Sequence, residues 1–204
     1  MTAPRVRIRP MASSDVVEVV SVHLEAFPGF FLSFLGPRFL KLFYGEAMAI
    51  QEIAIVADEG GRCVGFAAGS AAPGAFYRRL IRRRLIAFGM AALPAILRRP
   101  SVAVRVARAL RRPSDAQKPE GTATLMSLGV HPELQGTGIG KELVRAFMEE
   151  ASARRARRID LTTDKLSNEP TNRFYKSLGF RVAREITTPE GRVLNEYERD
   201  LSSC

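Results

Sequence analysis

The period of apolar and polar positions changes several times along the chain, and each change marks an element. Val6-Arg7-Ile8-Arg9 alternates and predicts a first or edge strand. Ser13 or Ser14 is expected to cap a helix through about Phe27, with Val16, Val17, Val20 and Leu24 as its apolar face. Pro28-Gly29 breaks that pattern. Phe30, Phe31, Leu32, Phe34 and Leu35 then form a dense apolar patch ahead of Gly36-Pro37 and a second helix, Arg38 to about Ala49. The patch suits a core contact, or the wall of a site for a partly apolar ligand. Ile53–Asp58 and Cys63–Ser70 predict two strands around the turn Glu59-Gly60-Gly61-Arg62, with Gly65 and Gly69 allowing close backbone approach.

From Pro73 to Pro119 the pattern turns helical and basic. Phe76, Leu80, Ile81, Leu85 and Phe88 recur among arginines, Pro94 and Pro100 punctuate, and Val102, Val106 and Leu110 continue. Two amphipathic helices are expected there. Gly121–Val130 predicts a fourth strand, a helix runs to about Arg155, and Arg158–Thr163 is a fifth strand. Pro170–Leu178 reads as a short helix. Arg181–Thr187 and Arg192–Leu201 close the chain as an antiparallel pair. The order predicts an α/β protein with a mixed sheet and helices on both faces.

One junction carries more chemistry than the others. Leu125, Met126, Leu128 and Val130 form an uncharged strand, His131-Pro132 ends it, and Gln135-Gly136-Thr137-Gly138-Ile139-Gly140 leads into a helix on Leu143, Val144, Phe147 and Met148. A helix start leaves N–H groups unpaired and carries the positive end of the dipole. Glycines clear the way for an anion to reach them. The junction suits phosphate or pyrophosphate, or else is a plain tight turn. It is neither a P-loop nor a dinucleotide fingerprint.

The spacing Gln-x-x-Gly-x-Gly after Val-x-Pro resembles the acyl-CoA loop of the GCN5-related N-acetyltransferase (GNAT) superfamily. Downstream, Asn168-Glu-Pro-Thr-Asn-Arg-Phe-Tyr175-Lys-Ser-Leu-Gly179-Phe180 is similar to that family's second block, with Thr171 where alanine is commoner. The resemblance implies a GNAT-like acyl-CoA N-acyltransferase fold over residues 1–204 as a single domain; the basic helical stretch 74–119, between the third and fourth strands, reads as an insertion that the resemblance does not account for. The resemblance also implies acetyl-CoA as acetyl donor, a primary amine on a small molecule or peptide as acceptor, and no metal. The pantetheine arm would lie between the fourth and fifth strands along Leu128, Gly129 and Val130, with Leu128 and Val130 bonding through their backbones. Gln135, Gly136, Thr137, Gly138, Ile139, Gly140 and Lys141 would cradle the pyrophosphate, and Asn168 would support the arm. Tyr175 would be the acid that protonates the departing thiolate, only slightly uphill for a phenol of pKa about 10. Some members carry a glutamate base roughly where Thr124 stands, and threonine cannot serve. Glu25, His23 or a water chain are left for that role.

Composition bounds the rest. The chain has 204 residues, 46% apolar and 25% charged, enough for a sizeable core. Cys63 sits in an apolar strand and Cys204 is last, a spacing that suits neither a disulfide framework nor zinc. The net charge of +10 is concentrated in 74–118, which holds eleven arginines and Lys118 against one acid, Asp115. That segment is expected to pack on the sheet or on a second subunit as a homodimer. The alternatives are a roof over the acceptor cleft, or weak contact with an anionic membrane or nucleic acid. A non-catalytic acyl-CoA-binding protein is the other reading of the whole chain. No N-terminal apolar run suggests a leader, and the uncharged run Leu85–Leu97 of 13 residues is shorter than the roughly 18 that span a bilayer. A cytoplasmic protein is expected.

Overall fold

A computed structural model describes residues 6–50, 52–98, 118–189 and 191–201. Strands β1 (Arg7–Pro10), β2 (Ile53–Glu59), β3 (Arg62–Ser70), β4 (Thr122–Val130), β5 (Arg158–Asp164), β6 (Arg181–Thr187) and β7 (Val193–Asp200) form a seven-stranded sheet in the order β1-β2-β3-β4-β5-β7-β6. β4 and β5 are parallel and every other neighbouring pair is antiparallel. Helices α1 (Val16–Ala26), α2 (Phe31–Leu35), α3 (Pro37–Ala49), α4 (Pro73–Arg98), α5 (Ile139–Ala153) and α6 (Glu169–Ser177) complete it.

Alternation along each strand sends residues to opposite faces. Ile53, Ile55, Ala67, Ala123, Leu125, Ile159 and Leu161 pack against Leu143, Val144 and Phe147 of α5. Val56, Cys63, Phe66 and Ala68 turn the other way onto Val19, Val20, Leu40 and Tyr44 of α1 and α3. Cys63 is buried, and burial pushes its thiol up to about 11. The expected close approach at Gly69 is present: a Cβ there would lie 2.1 Å from the Thr124 carbonyl and 2.7 Å from the Phe147 ring.

Two expectations need correcting. Neither Ser13 nor Ser14 caps α1; both lie in a 3-10 turn ahead of it, and the Asp15 carboxylate accepts the Ala12 N–H at 2.7 Å instead. The buried face of α1 is Val19, Val20, Val22 and His23, with Val17 58% exposed. Valines on every side blur the helical period, and α1 is covered on two sides, by β3 and by α3. The apolar patch makes the core contact that its composition suggested: buried Leu35, with partly buried Phe31, Leu32 and Phe34, packs against Ala92 and Ala95 of α4, while Phe30 stays exposed.

Helix α4 has a break in helical geometry at Arg84, whose Nε pairs with Glu46 of α3 at 3.0 Å. Phe88 is buried against Phe39. Ile86, Met90, Leu93 and Leu97 are exposed along the same helix. The pattern at Val102, Val106 and Leu110 lies outside the described residues. No helix among the described residues is long and apolar enough to cross a membrane.

Candidate active site

β4 and β5 pair only at Thr122–Arg158, Ala123–Ile159 and Thr124–Asp160, and beyond Thr124 the strands part. A bulge opposite Ala68–Gly69 bends β4 there, since Leu125 and Ser127 oppose consecutive residues of β3. The His131 N–H bonds to Val64 of β3 at 2.9 Å. Backbone groups of alternate residues face alternate edges of a strand. Gly129 therefore faces β3, and Leu128 and Val130 face the opening. The Gln135 side-chain amide donates to the Val130 carbonyl at 3.2 Å, which agrees with that orientation. An extended, amide-bearing chain can add to such an edge.

The glycine loop stands at the wide end. N–H groups of Gln135 and Thr137 bond back to Pro132 and Leu134, and the Thr137 hydroxyl donates to Leu134 at 2.7 Å. Those of Gly136, Gly138, Ile139 and Gly140 make no backbone hydrogen bond among the described residues. Gly136 and Gly138 hold φ of 83° and 97°, values that side chains on Cβ disfavour, and no heavy atom lies within 4 Å of where their Cβ would be. Four free donors at the start of α5, with open space in front, form an anion cradle. Lys141, the next residue, is exposed in the same first turn.

Tyr175 is buried on α6 against Phe174, Phe180 and Tyr197, and its hydroxyl has no hydrogen-bond partner among the described residues. Burial raises the phenol well above its ordinary value. The same dry surroundings would raise a thiol beside it, so the gap between donor and acceptor need not widen. Asn168 donates from Nδ2 to the Thr163 hydroxyl (2.6 Å) and the Asp164 carbonyl (3.2 Å), which fixes the start of α6 to the end of β5. Asn172, absent from the sequence-based site, is the hub of this corner. Its Nδ2 donates to the Asp164 and Asn168 carbonyls, and its Oδ1 accepts from Asn195 (3.1 Å) and Tyr197 (2.9 Å).

On the α1/α3 face, His23 is 3% exposed and Nδ1 lies 2.7 Å from the Tyr44 hydroxyl, which also bonds to Ser127 on the open length of β4. His23 Nε2 is buried with no partner among the described residues. Burial lowers this imidazole to about 4. Glu25 is partly exposed and meets His131 Nε2 at 2.9 Å, so it borders the mouth where β4 ends. Arg192, ahead of β7, clasps Asp164 at 2.7 Å and lies over the Phe30 ring at 5.8 Å. The loop after α1 and the β6–β7 turn thus meet beside the opening.

At the narrow end Lys118 reaches in. Its Nζ donates to Thr124 Oγ1 (2.9 Å) and to both oxygens of Asp160 (2.9 and 2.8 Å), and the Thr124 hydroxyl donates to Asp160 Oδ1 at 2.6 Å. No group of three or more His, Cys, Asp or Glu suited to a metal exists among the described residues.

A parted parallel strand pair with an anion cradle at its wide end is the frame for an acyl-CoA thioester. The acetyltransferase (GNAT) family model matches residues 18–180, and the chain belongs to that family. A 70-residue stretch is 40% identical to the 5-NmdU N-acetyltransferase of Pseudomonas phage PaMx11, over 34% of this chain and 47% of that protein, about half of its length. Among solved structures, an N-acetyltransferase from Staphylococcus aureus Mu50 is 17% identical with a TM-score of 0.65, covering 97% of this chain and 99% of that one. The yncA acetyltransferase from Salmonella typhimurium, solved with its cofactor acetyl-CoA, is 15% identical with a TM-score of 0.64, covering 97% and 94%. At these identities the two structures share the fold.

Proposed function

We propose that the chain transfers the acetyl group of acetyl-CoA to a primary amine. One observation carries the reading: the edge of β4 at Leu128 and Val130, which no strand pairs, leads from the free N–H groups of Gly136, Gly138, Ile139 and Gly140. The residues present fit the donor. The loop N–H groups and Lys141 would hold its pyrophosphate, Leu128 and Val130 its amide-bearing arm, and Asn168 would act by fixing the β5–α6 corner. The donor supplies an activated acetyl thioester. Tyr175, a phenol that stays protonated at neutral pH and more so when buried, offers the proton for the leaving sulfur. The fold acts as one catalytic domain, with residues 74–119 as an insertion and the cytoplasm as its place of work. A non-catalytic acyl-CoA binder is the competing reading, and it predicts binding without turnover.

The acceptor is an amine, and its class follows from charge. The segment 74–118 carries eleven arginines, which favours an amine carried on an anionic molecule such as a nucleotide or a nucleic acid. The acceptor printed in the phage relative's name, 5-NmdU, would join that set when it carries phosphate. The exposed Ile86, Met90, Leu93 and Leu97 of α4 favour a second subunit or another partner on this segment. The test is titration with acetyl-CoA, then a release-of-CoA assay over amino sugars, polyamines, aminomethylated nucleosides, peptide N-termini and lysines. Turnover with one amine class supports the reading. Tight donor binding with no turnover on any amine overturns it in favour of the binder.

A further inference from the structure

The crotch of the opening is already occupied by an amine. Ala123 and Leu125 pack on the α5 side, as do Ile159 and Leu161, so Thr124 and Asp160 between them face the α1/α3 side. Lys118 bonds to both, which places its Nζ on that side of the sheet, at the last paired rung before the strands part. Its side chain is 20% exposed and that of Asp160 is 9% exposed. Three acceptor oxygens, Thr124 Oγ1 and both carboxylate oxygens of Asp160, lie within 2.9 Å of Nζ. This is a held, oriented primary amine with a carboxylate already in contact.

Its reach toward the donor follows from chain dimensions. From Val130 back to Thr124 the strand takes six residue steps, about 20 Å at strand rise. A pantetheine arm is about four peptide-like repeats long, roughly 14 Å when extended. Laid along the open edge from the cradle, such an arm ends about two residues short of Thr124, within the swing of a lysine side chain anchored there.

The chain's basic residues sharpen the point. It has 26 arginines and only five lysines, and Lys118 is the one lysine in the arginine-rich segment 74–118. Guanidinium groups stay charged and are not amine nucleophiles at neutral pH. Lys118, the last residue of that segment, is therefore its single acetylatable side chain.

We propose that Lys118 is a self-acetylation site of this protein, an inference that rests on the acetyl-CoA reading of the same opening. Lys118 passes one ammonium proton to Asp160 along their existing hydrogen bond. The freed lone pair forms the C–N bond to the acetyl carbon as the C–S bond breaks. Tyr175 protonates the departing sulfur, and the second amine proton makes good its loss, so one proton in all leaves to solvent by way of Asp160. The product amide is neutral. It ends the ion pair and leaves Asp160 free to receive the ammonium of an incoming acceptor.

The experiment is incubation of the full chain with isotope-labelled acetyl-CoA and no acceptor, read by intact mass and peptide mapping. The expected result is a gain of one acetyl group, mapped to Lys118, at a rate independent of protein concentration. Lys118→Arg should abolish the label while acetyl-CoA still binds by calorimetry, and Tyr175→Phe should slow labelling roughly 10²-fold. A chain that binds acetyl-CoA yet leaves Lys118 unlabelled overturns the inference alone. So does label spread over Lys41, Lys141, Lys165 and Lys176 at the rate of the heat-denatured chain. A chain that does not bind acetyl-CoA overturns the donor reading and the inference together.

Discussion

Alanine at Gly138 and at Gly140 should affect stability in opposite directions and donor binding in the same one. Gly138 holds φ of 97°, and a Cβ there meets no atom within 4 Å. Its replacement costs backbone strain without a clash, about 1–2 kcal/mol for a non-glycine residue in the left-handed region. For a chain of this size that is a fall of roughly 2–8 °C in Tm, at about 2–4 °C per kcal/mol. Gly140 lies inside α5, and its Cβ would make ordinary contact with the Phe174 ring at 3.5 Å. Alanine is favoured over glycine by up to about 1 kcal/mol in a helix interior and by less in a first turn, so Gly140→Ala should raise Tm slightly. The Gly138 methyl enters the open space in front of the free N–H groups, and the Gly140 methyl lies between Phe174 and Val130, where the open edge of β4 meets the cradle. Each should weaken acetyl-CoA at least tenfold, about 1.4 kcal/mol, by calorimetric titration. Opposite Tm shifts with a shared affinity loss would separate occlusion of the cradle from damage to the fold. Unchanged affinity in both variants would refute the cradle.

Tyr175→Phe should lower kcat about 10²-fold at nearly constant acetyl-CoA affinity and Tm, because the hydroxyl has no partner among the described residues to lose; equal turnover would reduce Tyr175 to packing. Asn172→Ala should cost about 2–4 kcal/mol in urea unfolding, since Asn195 and Tyr197 both lose their acceptor, and an unchanged midpoint would contradict the hub. His23, depressed to about 4 in the fold against 6.5 in the unfolded chain, makes the unfolded state the stronger proton binder between those values. Stability should therefore be full above pH 6.5 and fall as pH drops toward 4, by up to about 3 kcal/mol at 1.36 kcal/mol per pH unit. His23→Gln should flatten urea midpoints across that window, and an unaltered slope would assign it to other groups.

The parts of this protein legible in one dimension are those whose causes are local. A run of β-compatible residues, a proline stop, three glycines and a helical period determine strand, loop and helix from Leu125 to Val144, because backbone dihedrals answer to immediate neighbours. The Asn168–Phe180 block is similarly compact, and its helix falls within one residue of expectation at each end. Strand existence and the glycine turns were readable for the same reason.

Only the tertiary structure decided what meets across the sheet. Register between β4 and β5 puts Thr124 beside Asp160, 36 residues away, and brings Lys118 to both. Nothing in the Ile159-Asp160-Leu161 alternation distinguishes a carboxylate at a cleft from one in solvent. His23 became buried because α3 covers the flank of α1 that a single-helix period leaves polar, and Tyr44 answers one of its nitrogens. Asn172 became a hub because β7 lies beside β5. The parting of β4 from β5, which makes the opening, leaves no mark on either strand alone. It arises from pairing that stops after three rungs, and pairing is a property of two segments, not of one.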